Sequence, residues 1–151
     1  MIHFTHGDIF AQATDAIVNP VNCVGVMGRG LALQFKRRHP AAFLAYRRAC
    51  EAGRVRPGRV FMFDTGCDRP RWIAHFPTKR HWRDRSAIGD IEAGLRDLAA
   101  AVERHGIRSI AVPPLGCGLG GLDWRAVRPL VSACLAGTPA TVIVLEPPPG
   151  P

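Results

Sequence analysis

Lysine is nearly missing from this chain: of 20 basic residues only Lys36 and Lys79 are lysines, and the rest are arginines. No run of about eighteen apolar residues occurs, which excludes a membrane-spanning helix. The start, Met1 to Asp8, has none of the charged, long apolar and cleavage regions of a secretory leader, so a cytoplasmic location is expected. Cys23, Cys50, Cys67, Cys117 and Cys134 are odd in number and scattered, with no C-x-x-C pair, so free thiols are expected rather than a disulfide framework. No H-E-x-x-H, calcium loop or histidine pair at ligand spacing appears, and no metal and no cofactor are implied. G-x-x-x-x-G-K-[ST] is absent, as is a G-x-G-x-x-G in the right strand context with a downstream acid, which excludes P-loop kinase and dinucleotide dehydrogenase chemistry.

The scarcity of lysine gives Lys79 weight. Arginine keeps its proton, whereas a lysine amine can lose one and act as a base or a nucleophile. The formal net charge of +8 suits a polyanionic partner, nucleic acid above all, because cations that neutralise phosphates gain affinity by releasing counterions. A solvated basic surface is the competing explanation.

At 151 residues and 47% apolar content the chain can bury the core of one domain. Short apolar runs at Ile2–Phe4, Ala16–Val18, Val60–Phe63, Trp72–His75, Ser109–Val112 and Thr141–Leu145 predict about six strands. Helices are predicted over Leu31–Arg38, Ala41–Glu51, Ile88–His105 and about Asp123–Leu135. In the third, Ile88, Ile91, Leu95, Leu98 and Val102 share one face. Alternating strands and helices predict an α/β, three-layer α/β/α architecture, with ligands beyond the carboxyl ends of the strands. Residues 1–146 should form this domain. Residues 147–151 read as a proline-rich tail, or the start of a linker to a further domain in a parent protein.

Four segments at strand ends carry chemistry. Asn22 to Gly30 is a glycine-rich bend running into a helix, where backbone N–H groups and the positive dipole end suit an anion. Leu115 to Gly121 is a second glycine-rich loop, and two such loops in one small domain favour a single ligand gripped from both sides. Asp8 and Ile9 follow the first strand, where an acid can accept from an exocyclic amine and an isoleucine can cover a base. A capping role for Asp8 competes. Asn19 and Asn22 carry amides suited to ribose hydroxyls, although asparagine is also a turn former. Phe76 to Ser86 interleaves aromatics with cations, as single-stranded nucleic acid requires: Trp82 or His81 would stack on a base, with Arg80, Arg83 and Arg85 near phosphates. A solvated basic loop is the alternative there. Cys117, between glycines and without a partner histidine or acid at recognisable spacing, reads as a small filler.

With Gly7-Asp8-Ile9, Asn19-Pro20-Val21-Asn22 and Pro114 to Gly120 in order, the chain resembles a macrodomain, the ADP-ribose-binding fold with a central mixed sheet of about six strands. Asn22 to Lys36, together with Phe76 to Arg83, is similar to the DarG-type branch, the antitoxins that remove ADP-ribose from DNA. The resemblance implies that Asp8 and Ile9 hold adenine and that Asn22 contacts the distal ribose. It implies that Val26, Met27, Gly28, Arg29 and Gly30, with Leu115, Gly116, Cys117, Gly118, Leu119 and Gly120, clamp the diphosphate and that ribose. Lys79 would be the catalytic amine. The implied substrate is a thymidine base carrying ADP-ribose in single-stranded DNA, left by a DarT-type toxin. The protein is expected to be a monomer. A non-catalytic ADP-ribose binder, or a hydrolase of small ADP-ribose derivatives or of ADP-ribosylated protein, is the alternative. Gly120 stands where the macrodomain hydrolase of glutamate-linked ADP-ribose has an acid, which weakens the protein-substrate alternative.

Overall fold

β-branched and aromatic residues in short runs build six strands in this computed structural model, which describes residues 1–148. These are β1 (Ile2–Thr5), β2 (Ala16–Val21), β3 (Phe61–Asp64), β4 (Trp72–Pro77), β5 (Ser109–Val112) and β6 (Thr141–Leu145). Four helices join them: α1 (Gly30–Arg38), α2 (Pro40–Glu51), α3 (Ile88–Arg104) and α4 (Trp124–Leu135). All ten elements match the expected ones within a few residues. The sequence pattern did not signal the 3-10 turn Ile9–Ala11. Part of the expected tail, residues 149–151, lies outside the described residues.

The strand order is β1-β6-β5-β2-β4-β3, parallel except for β3, which runs antiparallel to β4. Alternation along each strand sends side chains to both faces. Ala16, Val18, Ala74, Phe76, Ile110, Val112, Val142 and Val144 pack under α3 and α4. Ile17, Ile73 and Ala111 face α1 and α2. The three-layer α/β/α architecture follows, with α1–α2 on one face of a mixed sheet and α3–α4 on the other.

One departure from a regular ladder makes the site. Along β4, β2 pairs through all six of its residues, whereas its pairing with β5 stops at Ile17. The Val21 carbonyl accepts from Thr78 N on the β4 side, so Pro20, one residue earlier, turns its ring nitrogen toward β5. That nitrogen has no proton to donate, and the ladder has already ended there. The carboxyl ends of β2 and β5 therefore separate, at the place in an open α/β sheet where ligands enter.

Candidate active site

The gap between β2 and β5 opens into a cleft of about 840 Å³, floored by Pro20, Pro113 and Pro114. The first glycine loop and the α1 start form one wall. Gly30 is the first residue of α1 and has φ +57°, and no side chain caps the helix start. The first backbone bond of the helix is donated by Leu33 N to the Arg29 carbonyl, so the N–H groups of Gly30, Leu31 and Ala32 have no intrahelical acceptor. With Arg29 beside them, these groups turn unpaired donors and positive charge toward the cleft, an arrangement chemically suited to an anion.

Asn22 shapes this wall. Its Oδ1 accepts from Val24 N (3.0 Å) and Val26 N (3.4 Å), and its Nδ2 donates to the Val26 carbonyl (2.8 Å). The buried Tyr46 hydroxyl donates to Asn22 Oδ1 (2.7 Å), with the Asn22 carbonyl also within reach (2.9 Å). The Asn22 carboxamide thus folds the loop, while Asn22 also lines the cleft and its Nδ2 keeps a second N–H beyond the one given to Val26. Tyr46 is the only tyrosine in the chain. Nothing in the local pattern of α2 marks it as the loop's support.

The second glycine loop forms the opposite wall. Leu122 N donates to Gly116 O, Gly121 N to Gly118 O and Cys117 N to Pro114 O, so the loop is closed on itself. Its tip reaches the first wall, because a Cβ on Gly30 would lie 3.7 Å from Leu119 Cδ1. Leu119, Val26 and Trp82 are 62%, 41% and 45% exposed. Three large apolar groups are thus left in water at one cleft mouth, and the Trp82 indole among them is a flat one.

Lys79 stands on the loop after β4. That loop is stitched to the first glycine loop by Cys23 N donating to the Arg80 carbonyl (3.0 Å). Lys79 lines the cleft, half-buried, and its Nζ donates to the Trp82 carbonyl on its own loop at 3.0 Å. Arg83 and Arg85 also line the cleft. Arg83 lies 4.6 Å from the Trp82 ring centroid, and His81 packs on the same indole at 5.0 Å. Arg80 lies outside the cleft lining, with its exposed guanidinium 3.5 Å from the Asp90 carboxylate on α3. Asp84 lines it as well, with Oδ2 accepting from His81 N.

Of the other expected contacts, Val26, Gly28, Arg29, Gly30, Gly116, Gly118, Leu119 and Gly120 line the cleft, whereas Asp8, Ile9, Asn19, Met27, Leu115 and Cys117 do not. Asp8 caps the 3-10 turn by accepting from Phe10 N, and Ile9 is buried beneath α1. Leu115 is fully buried. Asn19 and Met27 lie beneath the first wall, where Asn19 Nδ2 donates to Met27 Sδ (3.8 Å) and faces His75 Nδ1 (3.2 Å). Burial drives the His75 pKa down to about 3, so the ring is neutral, sandwiched between Phe61 and Tyr46. Cys117 is the expected filler: burial raises its thiol pKa to about 11, with the nearby Asp123 charge adding to the shift. Asp123 itself is occupied as the N-cap of α4, accepting from Arg125 N. Among the described residues no cluster of three potential metal ligands occurs, and no helix is long and apolar enough to cross a membrane.

Comparison with known proteins gives this cleft a context. A family model described as Macro domain matches residues 18–131. A DNA ADP-ribosyl glycohydrolase of Mycobacterium tuberculosis is 49% identical over 151 residues, covering 99% of this chain and 43% of that protein. The macrodomain of Thermus aquaticus DarG superposes with a TM-score of 0.94 at 46% identity, covering 97% of this chain and 99% of that one. Thermosipho africanus DarTG, solved in complex with ADP-ribose, superposes with a TM-score of 0.89 at 34% identity, covering 98% of this chain and 43% of that one. The chain spans less than half the length of the curated DNA ADP-ribosyl glycohydrolases it matches.

Proposed function

The chain belongs to the Macro domain family, in company with the DarG macrodomains, and from that membership we propose that it hydrolyses the N-glycosidic bond between ADP-ribose and a thymidine base in single-stranded DNA. Water adds at the anomeric carbon of the distal ribose, the C–N bond breaks, and the base nitrogen takes the proton. The products are free ADP-ribose and unmodified DNA. The reaction reverses that of a DarT-type toxin, with which the protein would be paired.

One observation carries this reading: the Lys79 amine lies on the same cleft as both glycine loops, with a Trp82–Arg83 edge beside it. The other cations of the cleft, Arg29, Arg83 and Arg85, cannot exchange protons near neutrality. The Asp84 carboxylate is turned into its own loop by His81 N. Lys79 is held only by the Trp82 carbonyl and can be released toward a ligand. It would serve either by attack on the anomeric or ring-opened carbon or by proton transfer to the departing base. The diphosphate would rest on the α1 start between Gly28 and Ala32, facing Gly116 to Gly120. Asp8 and Ile9 are retained as the adenine end, and Trp82, Arg83 and Arg85 as the DNA contacts.

The deciding experiment incubates a single-stranded oligonucleotide bearing ADP-ribosylated thymidine with wild type and Lys79→Ala, and follows ADP-ribose release. Release by wild type and its loss in the variant is the expected result. Equal rates would remove Lys79 from its role, and binding of ADP-ribose without turnover on any linkage would favour a non-catalytic reader.

A further inference from the structure

Residues 29–59 comprise the α1 start, α1, α2 and the turn into β3, and they hold nine arginines and lysines against a single acid, Glu51. The surplus of eight equals the net charge of the whole chain, so the rest of the molecule is neutral in sum. All nine cations are exposed: Arg29, Lys36, Arg37, Arg38, Arg47, Arg48, Arg54, Arg56 and Arg59. None takes part in an ion pair among the described residues, whereas Arg71, Arg80, Arg96, Arg125 and Arg128 elsewhere are all paired with carboxylates. Eight uncompensated charges on the helix pair and the turn that follows it repel one another at low salt, and a polyanion relieves that repulsion.

The charged layer is joined to the cleft. Lys36 Nζ and the Arg47 guanidinium lie 4.5 Å and 5.6 Å from the centroid of the same Phe43 ring, which bridges α1 and α2. The stem of Arg47 lies under the first glycine loop, with its Cγ 3.3 Å from where a Gly25 Cβ would stand. From Arg29 at the cleft wall the positive surface therefore passes behind the glycine loop and along both helices.

We propose that the exposed face of α1–α2 is a binding track for the phosphate backbone of single-stranded nucleic acid, carrying the strand away from the cleft past Arg29. The proposal rests on the glycohydrolase reading only for the identity of the strand that enters the cleft. Phosphates are the fitting partner because the track is built almost wholly of cations, and neutralising each phosphate releases a counterion. A protein interface of this size would carry an apolar or aromatic centre. Leu44, 41% exposed, is the one large apolar side chain that α1 and α2 leave in water. That is too little for the apolar face by which an interfacial helix enters a membrane.

The test is fluorescence anisotropy with an unmodified, labelled 20-nucleotide single strand across a salt series. The proteins are wild type, a Lys36→Gln/Arg37→Gln/Arg47→Gln/Arg48→Gln variant, and an Arg37→Gln/Arg48→Gln/Arg54→Gln variant that leaves the Phe43 contacts intact. An Arg96→Gln/Arg104→Gln/Arg108→Gln variant on the α3 side serves as control. Each track variant should lose about tenfold or more in affinity at low salt, and the salt slope should shrink by about 0.7 for each phosphate contact removed. The control should bind as wild type does. Hydrolysis of a modified trinucleotide should be unchanged by the track variants, while KM for a modified 20-mer rises. Wild-type binding by both track variants, or an equal loss in the control, would overturn the proposal. Track-dependent binding by a protein that hydrolyses no linkage would support the track and overturn the glycohydrolase reading.

Discussion

The Ser86 hydroxyl occupies the space that a Cβ at position 120 would need. Ser86 N donates to the Gly120 carbonyl at 3.0 Å, while the buried Ser86 Oγ has no partner of its own. The Gly116 carbonyl crowds the same point at 2.6 Å. Position 120 is therefore closed to any side chain, including an acid that would pair with Lys79. Gly120→Ala is expected to destabilise the protein by about 1–3 kcal/mol through overpacking. Adding Ser86→Gly should restore only part of this, because the Gly116 carbonyl remains. Urea unfolding of the single and double variants measures both effects, and a neutral Gly120→Ala would refute the packing argument.

Lys79→Ala should lower the turnover of ADP-ribosylated oligonucleotide by about 10²–10⁴-fold, the range for loss of a positioned proton donor or acceptor. ADP-ribose affinity should change little, since the diphosphate walls remain. Lys79→Arg keeps the charge but not the exchangeable proton and should be as slow as Lys79→Ala. Calorimetry and single-turnover release separate binding from chemistry. A fast Lys79→Arg enzyme would reduce Lys79 to an electrostatic role.

Tyr46→Phe removes the hydroxyl that braces Asn22 and should cost about 1 kcal/mol of stability. Asn22→Ala removes the acceptor for Val24 N and Val26 N and the donor to Val26 O together, and should weaken ADP-ribose binding more than Tyr46→Phe does. If calorimetry found Asn22→Ala unimpaired, the loop would be held by its own backbone.

Stability should fall on acidification because of His75. Burial lowers its folded pKa to about 3, while the unfolded ring titrates near 6.5. Between those values the unfolded chain binds more protons, so this contribution is complete at neutral pH. It is lost as pH drops through the window, at about 1.4 kcal/mol per pH unit. His75→Phe should flatten that part of the acid limb. An unchanged acid slope in the variant would assign the pH dependence to other groups.

Alkylation by iodoacetamide near neutral pH should mark Cys67 first, because it is the exposed thiol. Cys23 and Cys117 have pKa values raised to about 11, chiefly by burial, and should react slowly. Cys117→Ser should leave turnover intact. Inactivation that tracks modification of Cys117 would contradict its role as filler.

All six strands and four helices were legible in the sequence, because the 2.0 and 3.6 residue periods of apolar side chains are local and strong. The facing glycine loops were legible for a similar reason: a positive φ or a close approach leaves few residues besides glycine, as at Gly30 and Gly116. Lys79 stood out by the rarity of lysine. Less could be read about Asn22, whose amide suits a ribose and a turn equally well until Tyr46 arrives from α2. Arg80 and Arg83 looked alike in one basic run, and only the structure shows Arg83 lining the cleft and Arg80 beside Asp90 on α3.

The amino-acid sequence alone thus determined the α/β architecture, the two glycine walls and the amine between them, since each follows from short-range pattern or residue chemistry. The tertiary structure decided where β2 parts from β5, that Ser86 closes position 120, and that Tyr46 of α2 braces Asn22 in the first glycine loop. These depend on which segments meet across the sheet, and such meetings are set by packing between residues far apart in the chain.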